Sequence, residues 1–370
     1  MAKGRTAARP AASQHAMKFI LALSLALLFA LPAAAQEKPL TQQEYVRMLY
    51  ALEARTGDRA EVLDALRVRG IAFTVTDGLR SLTRSKSRND LELRRALDEA
   101  ERRRQNPSAA KRPNVAEADA ILNETRSNTL QAVDQMPDFV VKQLIQRSAG
   151  FAGTGSFRNL DRLVVGVSYR ASGEEEYRVL SVNGAVQADQ SPKRTYEEVG
   201  GTSSTGEFVT VLALIFKPES ETRFELVDTD ELRGRRAVVF DFEIDVEKAR
   251  QQIRATGATT QSTVTGVRGR MWIDRELKRV LRIESDAVGI PKDFPITAAR
   301  RVIDYDWTVI ADEKYLLPLV SDVRLTIREG SRNYETRNLI RFREYQKFGT
   351  EVIIRDEDEE PYVEDKPADQ

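Results

Sequence analysis

From residue 138 onward, apolar and charged residues alternate with a period of two. In one such run, Ile303, Tyr305 and Trp307 are separated by two aspartates. Successive side chains of a strand point to opposite faces, so this alternation predicts strands with one apolar and one charged face. Because short turns join consecutive runs, we expect an antiparallel meander that is covered on its apolar side and solvated on the other.

The residues before this region have helical spacing instead. Tyr45, Leu49 and Leu52 recur at intervals of four and three, which is typical of an amphipathic helix. Asp58, Thr76 and Asn89 or Asp90 are candidate caps for three further helices. We therefore predict an α+β protein, in which an N-terminal helical module precedes the antiparallel β meander.

Composition divides the chain into five segments. We predict a signal peptide at 1–35, a helical module at 36–104, a linker rich in Pro, Ser and Lys at 105–113, an antiparallel half-barrel domain at 114–355, and a disordered acidic tail at 356–370. A helix over 115–135 is predicted to open the half-barrel domain and to end before Pro137.

The N-terminal segment has the pattern of a secretory signal peptide. Lys18 precedes an apolar run of 13 residues, and Ala33 to Ala35 form a small-residue cleavage site. A bilayer-spanning helix needs about 20 residues, so the run is too short for one. We expect cleavage near Ala35 and a periplasmic or secreted protein without a transmembrane segment. Met17 is a second candidate start, which would place residues 1–16 outside the protein.

The chain contains no cysteine and one histidine, His15, which lies within the predicted signal peptide. The exported protein would then lack Ser-His-Asp and Cys-His catalysis, disulfides and ordinary zinc sites. We predict a non-enzymatic protein with no catalytic residue, no cofactor and no metal. The 57 basic and 57 acidic side chains are interleaved, and we expect no nucleic-acid partner.

Carboxylates at alternate positions could in principle cleave glycosides or bind calcium. Asp304 with Asp306, and Asp241 with Glu243, are such pairs. Strand alternation places acids outward automatically, so we interpret both pairs as part of a solvated face.

One segment within the β region has helical spacing. Ser204 and Glu207 stand three apart, as in a capping box, and Phe208, Leu212 and Ile215 follow at helical intervals. The sequence predicts that this helix covers the apolar face, either completing the core or forming a lid over a cavity. The candidate ligand-binding residues are Phe208, Leu212, Ile215, Phe240, Phe242, Tyr305 and Trp307.

Five segments carry a resemblance to known proteins. They are MPDFVVKQLIQR at 136–147, YRVLSVNG at 177–184, RTYEEVGGTSSTGEF at 194–208, LRGRRAVVFDF at 232–242 and GRMWIDRELKRVLRIE at 269–284. They are similar to an uncharacterised exported bacterial family, whose layout resembles the outer-membrane lipoprotein carrier superfamily. The resemblance covers roughly residues 115–350. It implies an antiparallel half-barrel whose concave face, plugged by helices, receives acyl chains, and it brings no catalytic signature.

Two functions remain open at this point. The protein could bind or carry a lipid or other apolar ligand in a half-barrel cavity. Alternatively, it could be an interaction scaffold of the cell envelope, with a filled β core, no ligand, and a protein partner bound through the helical module. An apolar cavity of several hundred Å³ beneath the helix at 208–216 would favour the first.

Overall fold

A computed structural model of the chain describes Met1 and residues 38–108, 110–186, 207–256 and 260–348. Apart from Met1, the predicted signal peptide lies outside the described residues, as do the acidic tail and Ser204. The chain forms two compact units, one ending at Pro107 and the other beginning at Ser108. In the described part of the chain, no helix is both long enough and apolar enough to cross a membrane.

The described part of the first unit contains four α-helices. They are α1 Gln42–Glu53, α2 Arg59–Asp64, which continues as a π-helical turn at Ala65–Arg69, α3 Asp77–Lys86 and α4 Leu91–Gln105. Asp58, Thr76 and Asp90 each accept a backbone N–H of the helix that follows, as an N-cap does. Each helix therefore begins at a residue whose side chain satisfies one of its free donors.

The core of the first unit is built from the apolar stripes of these helices. Tyr45, Leu49, Leu66 and Leu93 are fully buried within it. The Tyr45 hydroxyl lies 2.9 Å from the Thr83 hydroxyl, so its polar end is satisfied inside the core. Burial raises the pKa of Tyr45 to about 12.

The second unit combines helices with one large antiparallel sheet. Its α-helices are α5 Val115–Asp134, α6 Thr210–Phe216 and α7 Val246–Ala249, with a 3₁₀ turn at Pro218–Ser220. Its strands are β1 Phe139–Phe151, β2 Arg158–Tyr169, β3 Glu175–Val182, β4 Ala185–Val186, β5 Arg223–Leu232, β6 Arg235–Ile244, β7 Gln251–Thr256, β8 Thr260–Asp274, β9 Val280–Val288, β10 Ile296–Ile310, β11 Glu313–Glu329 and β12 Arg332–Lys347.

Strand order explains how the sheet is assembled. The order is β4-β3-β2-β1-β12-β11-β10-β9-β8-β6-β5, and β7 pairs with β8 outside this path. Every pairing is antiparallel, so the predicted α+β fold with an antiparallel half-barrel sheet is confirmed. Strands β8 to β12 form the expected meander, whereas the pairing of β1 with β12 joins the two ends of the domain sequence.

A glycine in β8 allows an aromatic ring to lie directly on the sheet. A Cβ on Gly269 would stand 2.2 Å from the Glu284 carbonyl oxygen and 2.7 Å from the Phe242 ring. Neither approach is sterically allowed, so only glycine lets the Phe242 ring pack flat against this strand.

The charged face of the sheet is paired rather than simply solvated. Asp304 accepts hydrogen bonds from Arg282 at 2.8 Å and from Arg233 at 3.0 Å. Asp241 is similarly held by Arg270 at 2.6 Å. The predicted outward orientation of these acids is therefore accompanied by cross-strand ion pairs. Among the described residues, no group of three or more acids is placed to hold a metal ion.

Asp322 shows the electrostatic consequence of this pairing. It accepts hydrogen bonds from Arg324 at 2.9 Å and from Arg337 at 3.1 Å. Burial alone would raise the pKa of Asp322, but the two guanidinium groups outweigh burial and hold it below the ordinary 3.8.

This face also carries an apolar cluster, which corrects the expectation of a uniformly wet surface. Val239, Trp272 and Leu281 are buried there, and the Trp272 indole donates to Asp230 at 2.9 Å. Trp272 thus has the structural role of ordinary sheet packing.

Residues just before α5 are attached to the second unit. Arg112 donates to the Leu226 carbonyl at 3.3 Å, and Arg275 donates to the Lys111 carbonyl at 2.7 Å. Ala110 is buried. The last residues of the segment predicted as a linker are therefore held against the strands.

The predicted start of α6 is wrong by two residues. The helix begins at Thr210, and Val209 occupies the N-cap position without a side-chain hydrogen bond. Phe208 and Val209 precede the helix in a turn, where both are buried. The apolar spacing that suggested a helix from Phe208 arises because this turn and the helix bury their side chains in the same core.

Candidate ligand cavity

Two apolar clusters share the covered face of the sheet. One contains α5 and α6 residues such as Ile121 and Ile215, packed on Phe240 of β6. The other contains Phe139 of β1 and Phe208, packed on neighbouring strands. The polypeptide from Phe208 to Leu212 crosses from the second cluster to the first, so the two clusters meet at this segment.

A cavity of about 290 Å³ opens where the clusters meet. Its walls come from α5, from the Phe208–Leu212 segment, and from the ends of β9, β10 and β11. The lining residues are Asn128, Thr129, Gln131, Ala132, Val133, Gln135, Met136, Phe208, Val209, Leu212, Arg279, Val280, Trp307, Glu313, Lys314, Tyr315 and Leu316. The volume is just below the range of small-molecule pockets, roughly 300–1,000 Å³.

Aromatic contacts fix the wall formed by Phe208. Its ring centroid lies 5.3 Å from that of Phe139 and 5.5 Å from that of Phe342, both edge-to-face. Such pairs are favoured by the ring quadrupole, and Phe208 is almost completely buried. This end of the segment is therefore a packed wall of the cavity and not a free flap.

The seven residues singled out from the sequence divide into two groups. Phe208, Leu212 and Trp307 line the cavity. The others, Ile215, Phe240, Phe242 and Tyr305, are buried in the cluster beside α5 and α6. Trp307 is 40% exposed, which places it at the solvent side of the cavity.

Polar groups collect at the same solvent side. Glu313 and Lys314 are exposed, and the Tyr315 hydroxyl donates to the Glu313 carboxylate at 2.7 Å. This hydrogen bond raises the pKa of Tyr315. Together with Arg279, these side chains give the cavity a polar mouth above a floor that includes Phe208, Leu212, Val280 and Leu316.

No pattern in the sequence singles out Arg279, Tyr315 or Leu316 as cavity residues. Arg279 directly precedes β9, and Tyr315 and Leu316 are the third and fourth residues of β11. So close to a turn, alternation is too short to indicate which face a side chain joins. The helix α5 was recognisable, but its cavity-lining residues are mostly polar or small and carry no apolar stripe.

The apolar face also buries polar side chains that have no hydrogen-bond partner among the described residues. They are Gln143 on β1, Ser321 on β11 and the hydroxyl of Tyr305 on β10. Burial raises the pKa of Tyr305. Nearby, by contrast, the Tyr345 hydroxyl donates to the Pro318 carbonyl at 2.7 Å. Buried polar groups without partners cost free energy, so these positions are ones where an ordered water or a ligand group would be stabilising.

No protein-family model matches this chain, and no curated protein matches it. Solved structures do match. One is a LolA superfamily protein from Nitrosomonas europaea, with 12% identity, a TM-score of 0.28, and coverage of 63% of this chain and 96% of that one. Another is a DUF1329 family protein from Desulfovibrio piger, with 8% identity, a TM-score of 0.27, and coverage of 62% and 95%.

MucB of Pseudomonas aeruginosa, in complex with MucA, also matches, with 12% identity, a TM-score of 0.16, and coverage of 59% of this chain and 94% of that one. The resemblance to the lipoprotein carrier superfamily therefore stays one of layout, inferred from the sequence. At these identities and TM-scores the likeness concerns the fold alone and decides neither ligand nor partner.

Proposed function

We propose that this is an exported, non-enzymatic protein that binds a lipid or other apolar ligand in its half-barrel cavity. The observation that carries the proposal is the cavity of about 290 Å³ between α5, the Phe208–Leu212 segment and the sheet. An apolar floor with a polar mouth suits a molecule that buries a hydrocarbon part and leaves one end near water.

Export is part of the proposal and rests on the signal-peptide pattern alone. Cleavage near Ala35 would release a periplasmic or secreted protein. N-terminal sequencing of the exported form should begin at Gln36. Recovery of a membrane-bound protein that retains the apolar run would contradict cleavage.

Ala132 offers a way to test the cavity by filling it. It lines the cavity from α5, whereas Ala120 lies exposed on the same helix. Replacing either alanine by phenylalanine has a similar cost in helix propensity, about 0.5 kcal/mol. Ala132→Phe should reduce binding of a neutral apolar fluorescent probe such as N-phenyl-1-naphthylamine at least about tenfold, since a ring in the cavity takes the ligand's space. Ala120→Phe should bind as the wild type does.

Trp307 supplies an internal reporter for the same experiment. Because it lines the cavity and Trp272 lies on the other face of the sheet, ligand binding should change the emission of Trp307. Trp307→Phe should abolish that change. Equal probe binding by the Ala132→Phe and Ala120→Phe variants, with both proteins folded, would exclude this cavity as the binding site.

The scaffold function is the second candidate. It is favoured by the tight packing of Phe240, Phe242 and Tyr305, which fill much of the apolar face. Under this alternative, purified protein would carry no co-extracted lipid detectable by mass spectrometry, and removal of the first unit would abolish binding of an envelope protein partner.

A further inference from the structure

Arg279 brings a guanidinium group to the cavity wall without an acid to neutralise it. The residue directly precedes β9 and is half-buried, and its Nη1 is buried with no hydrogen-bond partner. Within the described part of the chain, Arg279 makes no ion pair or ring contact. Its neighbours on the same hairpin are paired, since Arg275 contacts Glu117 at 2.7 Å and Arg282 contacts Asp304 at 2.8 Å.

An unpaired guanidinium in this position is costly unless something binds it. Burial lowers the pKa of Arg279, and no neighbouring charge opposes that effect. Arginine remains protonated in proteins, so the charge persists and its donors remain available. Because Arg279 lines the cavity and pairs with no acid among the described residues, an anionic group bound in the cavity would neutralise its charge.

The other charges at the cavity do not cancel this one. Glu313 and Lys314 also line it, and they carry opposite charges. The Glu313 carboxylate is already engaged by the Tyr315 hydroxyl. Among the described lining residues the net charge is therefore positive and is located on Arg279.

We propose that the cavity takes an amphiphile with a single anionic head group, whose oxygens accept hydrogen bonds from Arg279 while its hydrocarbon tail lies against Leu212, Val280 and Leu316. The inference rests on the proposed function and adds the charge and orientation of the ligand. A planar guanidinium matches both carboxylate and phosphate oxygens, so the shared chemistry is an anionic oxygen head on an alkyl tail.

The volume indicates the length of the tail. A methylene group takes up about as much space as a water molecule, about 30 Å³, so 290 Å³ holds a chain of roughly ten carbons. Decyl compounds are therefore suitable probes, and they differ only in head group: decanoate, decyl phosphate, decan-1-ol and decyltrimethylammonium.

The experiment measures displacement of N-phenyl-1-naphthylamine from the full chain by each decyl compound. For the wild type we expect decanoate or decyl phosphate to bind at least about tenfold more tightly than decan-1-ol, because a charge-assisted hydrogen bond is added. The ratio between the two anions identifies the head group as carboxylate or phosphate. Acetate and inorganic phosphate, which lack a tail, should not displace the probe.

Substitution of Arg279 tests the assignment to that residue. Arg279→Met should lower the affinity for the anions to that for decan-1-ol, while the affinity for decan-1-ol stays unchanged. Arg279→Lys should have an anion affinity between those of the wild type and Arg279→Met, because lysine keeps the charge but lacks the planar, two-pronged guanidinium. The matched control, Lys314→Met, removes an exposed charge from the same cavity and should change anion affinity by less than about threefold. Because Arg279 has no ion-pair partner in the part of the chain that the structure describes, its replacement by methionine should not unfold the protein.

The outcomes separate this inference from the function on which it rests. If decan-1-ol binds and the anions bind no more tightly, or if the cation binds best, the head-group proposal is wrong and apolar binding stands. Loss of decan-1-ol binding together with anion binding in Arg279→Met would also overturn the role of Arg279. If no decyl compound and no neutral probe binds the wild type, the proposed function itself fails.

Discussion

Leu212 and Ile215 stand one turn apart on α6 and provide a sharp test of the cavity. Leu212 lines the cavity, whereas Ile215 is enclosed within the packed cluster. Truncation of either side chain to alanine removes three carbons, a loss of about 2.4 kcal/mol in transfer free energy at about 0.8 kcal/mol per methylene.

The two sites differ in what happens to the vacated space. A void beside Ile215 opens inside close-packed side chains and adds about 24 cal/mol per Å³, so Ile215→Ala should cost about 3–4 kcal/mol in total. Space beside Leu212 joins a cavity bordered by exposed side chains, where water can enter. Leu212→Ala should therefore lower the free energy of unfolding by about 2–3 kcal/mol, close to the transfer free energy of the removed carbons alone.

Urea unfolding followed by tryptophan fluorescence measures this difference. The chain has two tryptophans, Trp272 and Trp307, and both lie in the second unit, so the signal is specific to it. We expect Leu212→Ala to be less destabilising by about 1 kcal/mol, a gap set by the cavity term. If Leu212→Ala costs as much as Ile215→Ala or more, α6 is uniformly packed and the argument for a cavity beside it fails.

Three further predictions concern stability. Tyr305→Phe should leave the free energy of unfolding within about 0.5 kcal/mol of the wild type, whereas Tyr345→Phe should lose about 1 kcal/mol with its hydrogen bond. Urea midpoints measure both, and a large loss for Tyr305→Phe would reveal a partner for the Tyr305 hydroxyl. Because the folded-state pKa of Asp322 is depressed, its ion pairs stabilise the protein above the unfolded pKa of about 3.8 and this contribution is lost as pH falls further. The stability gap between wild type and Asp322→Asn should accordingly be constant from pH 7 to 5 and shrink below about pH 4; a gap that widens in acid would contradict the sign. A chain beginning at Ser108 should unfold cooperatively. A chain beginning at Asn114 should be less stable by about 1–3 kcal/mol, since it lacks the contacts made by residues 110–112. Equal urea midpoints for the two chains would show that those contacts contribute nothing.

Periodicity in the sequence predicted most elements because their two faces meet different environments. The hairpin of β2 and β3, the meander from β8 to β12, and the helices capped by Thr76 and Asp90 follow that rule. The start of α6 did not, because a buried turn at Phe208 and Val209 has the same composition as a buried helix. Periodicity reports burial, and it cannot distinguish two backbone conformations that are buried alike.

Residues brought together over long sequence separations were the part that the sequence could not predict. The register of β1 against β12 places Gln143 opposite Phe342, although about two hundred residues separate them. No local pattern in either strand specifies this partner. The role of Arg279 could not be predicted for the same reason. Among the described residues, it differs from paired arginines such as Arg282 only in having no acid nearby, and the fold alone decides which acids are near.

The cavity arises from a mismatch between the sheet and its cover. Eleven strands lie side by side in the main path of the sheet. At a spacing of about 4.8 Å they make it roughly 50 Å wide, whereas one helix covers about 10 Å of that width. In the described residues, α5 is 20 residues long and α6 only 7. An α6 that began at Phe208 would place more of the helix where the two clusters meet. Instead, Phe208 and Val209 form a buried turn, and α6 begins at Thr210 with Leu212 on the cavity wall. The short cover therefore creates the cavity, while the sheet beneath it remains apolar, and Arg279 at its edge introduces a charge that a filled core would not need.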